Sequence, residues 1–296
     1  MSLTLPDWPM FGLGDDARPA LQAARDAGQP ATLATIVALN GGGPRPVGAQ
    51  MVITQDSVSG FLSGGCLEAD VAHHAQTVLA GGPPQKLIYG EGSPWPDISL
   101  LCGARIEVQL EIIAPDNAQM QEVLDHWHLR QPALWRGLNY EVRYQPTPRL
   151  IVLGSDPTAL AVASLGSQVG LSTTLVRPKG PLAGPPLAGV DYHRGEPAEA
   201  LEAIGLDAWT AVAVATHHAE TDHAAIVAAL PSPAFYVGAL GARRRLADRQ
   251  AWLRASGLSE SQIARLRAPI GLDLGGKAPW EVAVAVIGEI IAARNA

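Results

Sequence analysis

The chain is nearly devoid of cysteine, with only Cys66 and Cys102 among 296 residues. Two thiols make no disulfide framework of the kind small secreted domains rely on. A reducing cytoplasm is therefore expected, and any role for these cysteines is as thiols. Charge is also sparse, at 17% of residues, against 47% hydrophobic; this is a composition able to bury real cores. The 21 basic side chains are outnumbered by 28 acidic ones, for a formal net charge of −7. That balance argues against nucleic acid or an anionic membrane as general partner, while allowing a local basic pocket. No leader is expected, because the opening MSLTLPDWPMFGLGDD lacks a basic region and is broken by Pro6, Asp7 and Pro9. No long apolar run exists either. The best candidate, residues 278–293, is interrupted by Glu281 and Glu289, so no membrane-spanning helix is expected.

Glycine (31) and proline (24) are abundant. Together they stay below the roughly 25–30% that marks disordered chains, so they read as many turns and loops. Residues 15–29 read as a helix capped by Asp15 or Asp16 and stopped by Gly28. Strand-like runs follow at 32–39, 51–54, 58–62, 86–89 and 104–113, with helices at 66–79 and 117–129. This order predicts an α+β domain, residues 1–130, with a mixed sheet. Residues 131–148, punctuated by Pro132, Gly137, Pro146 and Pro148, read as a linker. From Arg149 the pattern changes. Compact apolar strands at 150–153, 173–176, 211–215 and 234–237 alternate with helices, and helices at 242–256, 259–267 and 279–293 close the chain. Such alternation predicts a parallel, doubly wound sheet. The fold class is thus α/β: a small α+β N-terminal domain followed by a Rossmann-like domain at 149–296.

Several stretches carry candidate chemistry. The turn Gly154-Ser155-Asp156-Pro157-Thr158-Ala159 stands where a dinucleotide fingerprint would need a second glycine for close approach to a pyrophosphate. Asp156 occupies that place, and Arg177 ends the next strand where an acid would accept ribose hydroxyls. The scaffold signal is fair and the NAD signal poor, although Arg177 can meet a phosphate. In Ser63-Gly64-Gly65-Cys66-Leu67-Glu68, two glycines turn the chain and a cysteine opens a helix. Two readings stand. Cys66 is a buried small hydrophobe, or it is a thiol at a helix N-terminus suited to a soft metal. In the second reading Gly64 and Gly65 leave backbone open to a ligand, and Glu68 caps the helix or accepts a ligand hydrogen bond. The loop Gly41–Gly48 holds Arg45 between Pro44 and Pro46, which is either an ordinary turn or a guanidinium fork presented to a phosphate or a pterin edge. Thr216, His217 and His218 follow a buried strand at the carboxyl end of the sheet, where open α/β folds take ligands. His218 and Asp222 are four apart, but no third ligand stands at a zinc-like spacing; pocket lining is the plainer reading. Arg243–Arg245 reads as a solvated helix start, or as an anion or partner contact.

Six stretches, taken in order, carry a family resemblance: GPRPVGAQM (Gly43–Met51), SGGCLE (Ser63–Glu68), CGARIEVQLE (Cys102–Glu111), Thr216–Asp222, YVGALGARR (Tyr236–Arg244) and PIGLDLG (Pro269–Gly275). With these, the chain resembles the XdhC/CoxI accessory factors of molybdenum hydroxylases. The resemblance implies a cytoplasmic chaperone, not an enzyme, that binds the molybdenum cofactor (molybdopterin), protects its sulfurated form and delivers it to a xanthine dehydrogenase-type molybdoenzyme. It implies contact with a cysteine desulfurase and self-association as a homodimer. It assigns Cys66 to the cofactor and its metal, and with the residue reading above gives a binding set of Arg45, Gly64, Gly65, Cys66, Glu68, Thr216 and His217. Two alternatives remain open on the residues: an NAD(P)-dependent oxidoreductase, and a docking scaffold that never touches the cofactor.

Overall fold

In the first half of the chain the buried side chains of the strands alternate between two cores, which fixes one sheet with helices on both faces. The computed structural model describes residues 5–93, 100, 103–216 and 218–296. Cys102 and His217 lie outside them. The chain divides into two compact units, Met1–Pro146 and Thr147–Ala296.

Unit 1 is built on five strands: β1 (Ala31–Asn40), β2 (Gln50–Ile53), β3 (Val58–Gly60), β4 (Gln85–Tyr89) and β5 (Arg105–Ile113), in spatial order β3-β2-β1-β5-β4. Every pairing is antiparallel, so the sheet is not the mixed one expected. Ala34, Ile36, Met51 and Ile53 face a core shared with Val71, Ala75 and Val78 of α2 (Glu68–Leu79). Leu33 and Val52 point the other way, to Leu21 of α1 (Arg18–Asp26) and to Met120 and Leu124 of α3 (Ala118–His128). Neither Asp15 nor Asp16 is the cap of α1: the N-cap is Ala17, without a side-chain cap, and the Asp16 carboxylate accepts from the Arg18 amide at 3.0 Å just before it.

The expected linker is not one. Residues 131–148 contain a hairpin, β6 (Ala133–Gly137) paired antiparallel with β7 (Tyr140–Tyr144). Trp135 and Tyr144 are buried in the unit 1 core beside Leu33 and Met120, and the Tyr144 hydroxyl donates to Gln50 Oε1 at 2.5 Å. The prolines flank the hairpin, while Asn139 at φ 66° makes its turn. Punctuation that reads as a linker is therefore the boundary of a packed element.

Unit 2 carries six parallel strands: β8 (Arg149–Gly154), β9 (Ser172–Val176), β10 (Val190–His193), β11 (Thr210–Ala215), β12 (Tyr236–Ala239) and β13 (Leu266–Arg267). The spatial order is β10-β9-β8-β11-β12-β13. Counted from one, this is 3-2-1-4-5-6, the order of dinucleotide-binding folds, with the chain reversing direction across the sheet between β8 and β11. Helices cover both faces. Leu150 and Val152 pack under α4 (Pro157–Gln168) and α9 (Pro279–Arg294). Ile151 and Leu153 pack toward α5 (Pro197–Ile204), α6 (Ala219–Ala229), α7 (Leu246–Ala255) and α8 (Glu260–Ile263). Burial on both faces explains why β8 and β11 read as unbroken apolar runs. The helix expected over 259–267 stops at Ile263, and Leu266–Arg267 instead joins the sheet beside β12.

Candidate functional site

The SGGCLE stretch connects β3 to α2 and is held from within by one carboxylate. Glu68 is only 1% exposed. Its Oε1 accepts from the amides of Leu62 (2.9 Å) and Ser63 (2.7 Å), and its Oε2 from the Ser63 hydroxyl (2.8 Å) and the amides of Gly65 (2.9 Å) and Leu67 (3.2 Å). Burial alone pushes the Glu68 carboxyl up, but the hydrogen bonds from Leu62 and Ser63 outweigh it and hold the pKa below the ordinary carboxylate value. With five donors on it, Glu68 is engaged by the loop's own groups. It positions the loop.

The loop needs its glycines for conformation. Gly64 and Gly65 sit at φ 100° and 98°, which side chains with a Cβ rarely adopt. Around Gly65 no atom lies within 4 Å of where a Cβ would be, so this stretch of backbone is open to approach. Cys66 follows, exposed; the reading as a buried hydrophobe fails. The helix N-cap is Leu67, whose amide goes to Ser63 Oγ and Glu68. What the fold offers at Cys66 is thus an accessible thiol on a rigidly held turn.

Arg45 belongs to the loop between β1 and β2, bounded by Gly41 (φ 83°) and Gly48 (φ 92°). Its guanidinium pairs with Asp15, while its Nε is buried without a hydrogen-bond partner. An unmatched buried donor of this kind is costly, and the outer nitrogen of the same guanidinium is committed to Asp15, so an anion reaches it only in exchange for that carboxylate. The residues in unit 1 therefore fit the phosphate and soft-metal chemistry expected of them: an open turn, an exposed thiol and an incompletely matched arginine.

Thr216 lies in unit 2, at the carboxyl end of β11. Its hydroxyl donates to Asp222 Oδ1, and Asp222 is in turn paired with Arg249 at 3.4 Å. Asp222 is engaged by these groups, and no group of three or more His, Cys, Asp or Glu able to hold a metal exists among the described residues. His217 falls outside those residues. The carboxyl edge of the sheet does form a cavity of about 660 Å³, lined by Gly154, Ser155, Arg177, Lys179, Thr216 and His218. Asp156 caps α4, accepting from the Ala159 amide at 2.8 Å, so its carboxylate takes the helix-terminal position a pyrophosphate would need. The sequence thus groups Gly64, Gly65, Cys66 and Glu68 correctly on one turn. It misses Lys179 as a second cation beside Arg177, for which only the sequence proximity of the two was a signal.

Residues 24–90 match the model of the XdhC and CoxI family, and residues 150–290 the model of the XdhC Rossmann domain. The Escherichia coli K12 protein named molybdenum cofactor insertion chaperone PaoD is 31% identical, with 95% of this chain and 90% of that protein covered. A Bacillus subtilis 168 protein, named as a probable subunit of xanthine dehydrogenase, is 26% identical over 93% of this chain and 96% of that protein. Among solved structures, a Bacillus halodurans protein described as a xanthine dehydrogenase superposes with a TM-score of 0.78 at 21% identity, covering 95% of this chain and 96% of the other. At that identity the likeness is one of fold.

Proposed function

This chain belongs to the XdhC/CoxI family, and from that premise we propose that it is a non-catalytic accessory protein for a xanthine dehydrogenase-type molybdoenzyme. In this reading it binds the molybdenum cofactor as cargo, shields its sulfurated form and hands it to the apo-enzyme. The observation that carries the reading is the exposed Cys66 on a Gly-Gly turn that the buried Glu68 carboxylate holds rigid. A carrier needs such an arrangement. A thiol is a fitting ligand for a soft metal, a preformed turn lowers the ordering cost of binding, and an accessible position lets the cargo leave.

Gly64 and Gly65 would give the cargo access to backbone, Cys66 would meet the molybdenum, and Arg45 would take an anionic group in exchange for Asp15. Glu68 acts through the turn it holds. Thr216 and His217 are assigned to contacts in unit 2. A cysteine desulfurase as sulfur donor, a homodimer and a cytoplasmic setting, where the reducing pool keeps Cys66 a thiol, complete the proposal. No helix among the described residues is long and apolar enough to cross a membrane.

The test is transfer. Protein loaded anaerobically with molybdenum cofactor, desalted and mixed with apo-hydroxylase should restore activity well above that given by the same amount of free cofactor. Restoration no better than free cofactor would contradict delivery. Docking to the apo-enzyme without any cofactor retained would favour the scaffold.

A further inference from the structure

The cavity at the carboxyl edge of the unit 2 sheet has more built into it than a scaffold requires. It lies where the strand order reverses, between the ends of β8 and β11, the position at which open α/β sheets take ligands. Its volume of about 660 Å³ is that of a small-molecule site rather than of a single bound ion. Two cations, Arg177 and Lys179, line it from one loop, and no ion pair holds either of them among the described residues. The loop is fixed under them. Arg194 Nε donates to the Gly180 carbonyl at 2.7 Å and the Tyr192 hydroxyl to the Pro181 carbonyl at 3.0 Å. A Cβ at Gly180 would fall 2.1 Å from the Tyr192 hydroxyl oxygen and 2.9 Å from Arg177 Cδ. Lys179 itself is held at φ 51°, a left-handed conformation that is strained for a residue with a Cβ. A strained, clamped loop thus presents to the cavity two cations that no ion pair holds among the described residues.

The neighbouring acids narrow the ligand. Asp156 follows the lining residues Gly154 and Ser155 along the chain; it keeps its carboxylate at the N-terminus of α4 and so disfavours a pyrophosphate there. Glu196 and Glu220 line the cavity itself and are exposed. Carboxylates repel a phosphate but accept from hydroxyl or amino groups on the body of a ligand. We infer that this cavity binds a phosphomonoester carried on a hydroxylated or amino-bearing molecule of mononucleotide size, with Arg177 and Lys179 on the phosphate. A nucleoside monophosphate and a phosphorylated pterin share that chemistry. The inference shares Thr216 with the cargo contacts proposed above but does not depend on Cys66, so loss of phosphate discrimination in the Arg177/Lys179 variants and loss of cofactor retention in Cys66→Ala are separately visible.

Calorimetric titration of the full chain with two matched pairs tests it: AMP against adenosine, and neopterin phosphate against neopterin. At least one phosphorylated member should bind at least tenfold more tightly than its partner, and the pair that discriminates identifies nucleotide or pterin. The Arg177→Ala/Lys179→Ala protein should lose that discrimination by at least tenfold, and Arg177→Lys/Lys179→Arg should keep most of it. Because Lys179 is exposed, Lys179→Ala alone serves if the double variant folds poorly, with an expected loss of at least threefold. No preference for phosphate in either pair, or a preference undiminished in the alanine variants, would overturn the inference.

Discussion

Two glycine turns in this molecule look alike in sequence and are built on different physics. Both connect a strand to a helix and both have an acid shortly after. At Gly64–Gly65 the backbone takes positive φ, the space beside Gly65 is empty, and the acid, Glu68, turns inward to gather the loop amides. At Gly154 no positive φ is needed. The glycine is there because a Cβ would come within 2.6 Å of both Ala159 Cβ and the Ala215 carbonyl, and the acid, Asp156, turns to the helix end as its cap. One glycine turn leaves its backbone open. The other lets a helix close onto a sheet. A glycine pattern by itself does not distinguish them; the partner of the nearby acid does.

The largest expected effect is at the acid that organises the first turn. Glu68→Ala leaves the amides of Leu62, Ser63, Gly65 and Leu67 without their acceptor and should cost at least about 3 kcal/mol in denaturant unfolding. Because the folded Glu68 pKa is depressed, its contribution is present above the unfolded carboxyl pKa and disappears as pH falls through the folded value. Wild-type stability should therefore drop on acidification over that range by more than that of Glu68→Gln. A pH-independent difference between the two proteins would break this side of the comparison.

Next in size, Gly154→Ala should destabilise by about 2 kcal/mol through overpacking against β11. Gly65→Ala should cost only about 1 kcal/mol, because it meets backbone strain but no neighbour. Equal costs at the two glycines would mean the turns are not distinguished as described. Asp156→Ala should cost about 1 kcal/mol as a lost cap, with Asp156→Asn recovering most of it in thermal unfolding. Smallest of all, Cys66→Ala should change unfolding free energy by less than about 0.5 kcal/mol, since the side chain is exposed.

How legible this was in the sequence follows the same division. The buried strands of unit 2 were readable because both faces of β8 and β11 are covered, leaving unbroken apolar runs. β10 was not, because it is an edge strand with no fully buried residue. β13 is two residues long, too short for any periodicity. The hairpin over residues 133–144 was hidden because its prolines and Gly137 look like a linker, while the burial of Trp135 and Tyr144 depends on partners such as Leu33 and Met120 that are remote along the chain. At the site, the proximity of Gly64, Gly65, Cys66 and Glu68 was readable as adjacency along the chain. The inward turn of Glu68 was not, since it depends on where the amides of Leu62 and Ser63 point. Nor was the Arg45–Asp15 pair, a tertiary contact that no local pattern announces.

The central claim is that Cys66, on its held turn, meets the metal of the cargo. The most direct measurement is cofactor retention by wild type and Cys66→Ala, each incubated anaerobically with molybdenum cofactor, desalted, and assayed for molybdenum and pterin together. The account predicts retention of both by wild type and at least a tenfold weaker retention by a variant whose thermal unfolding is unchanged. Equal retention by the two proteins would contradict it.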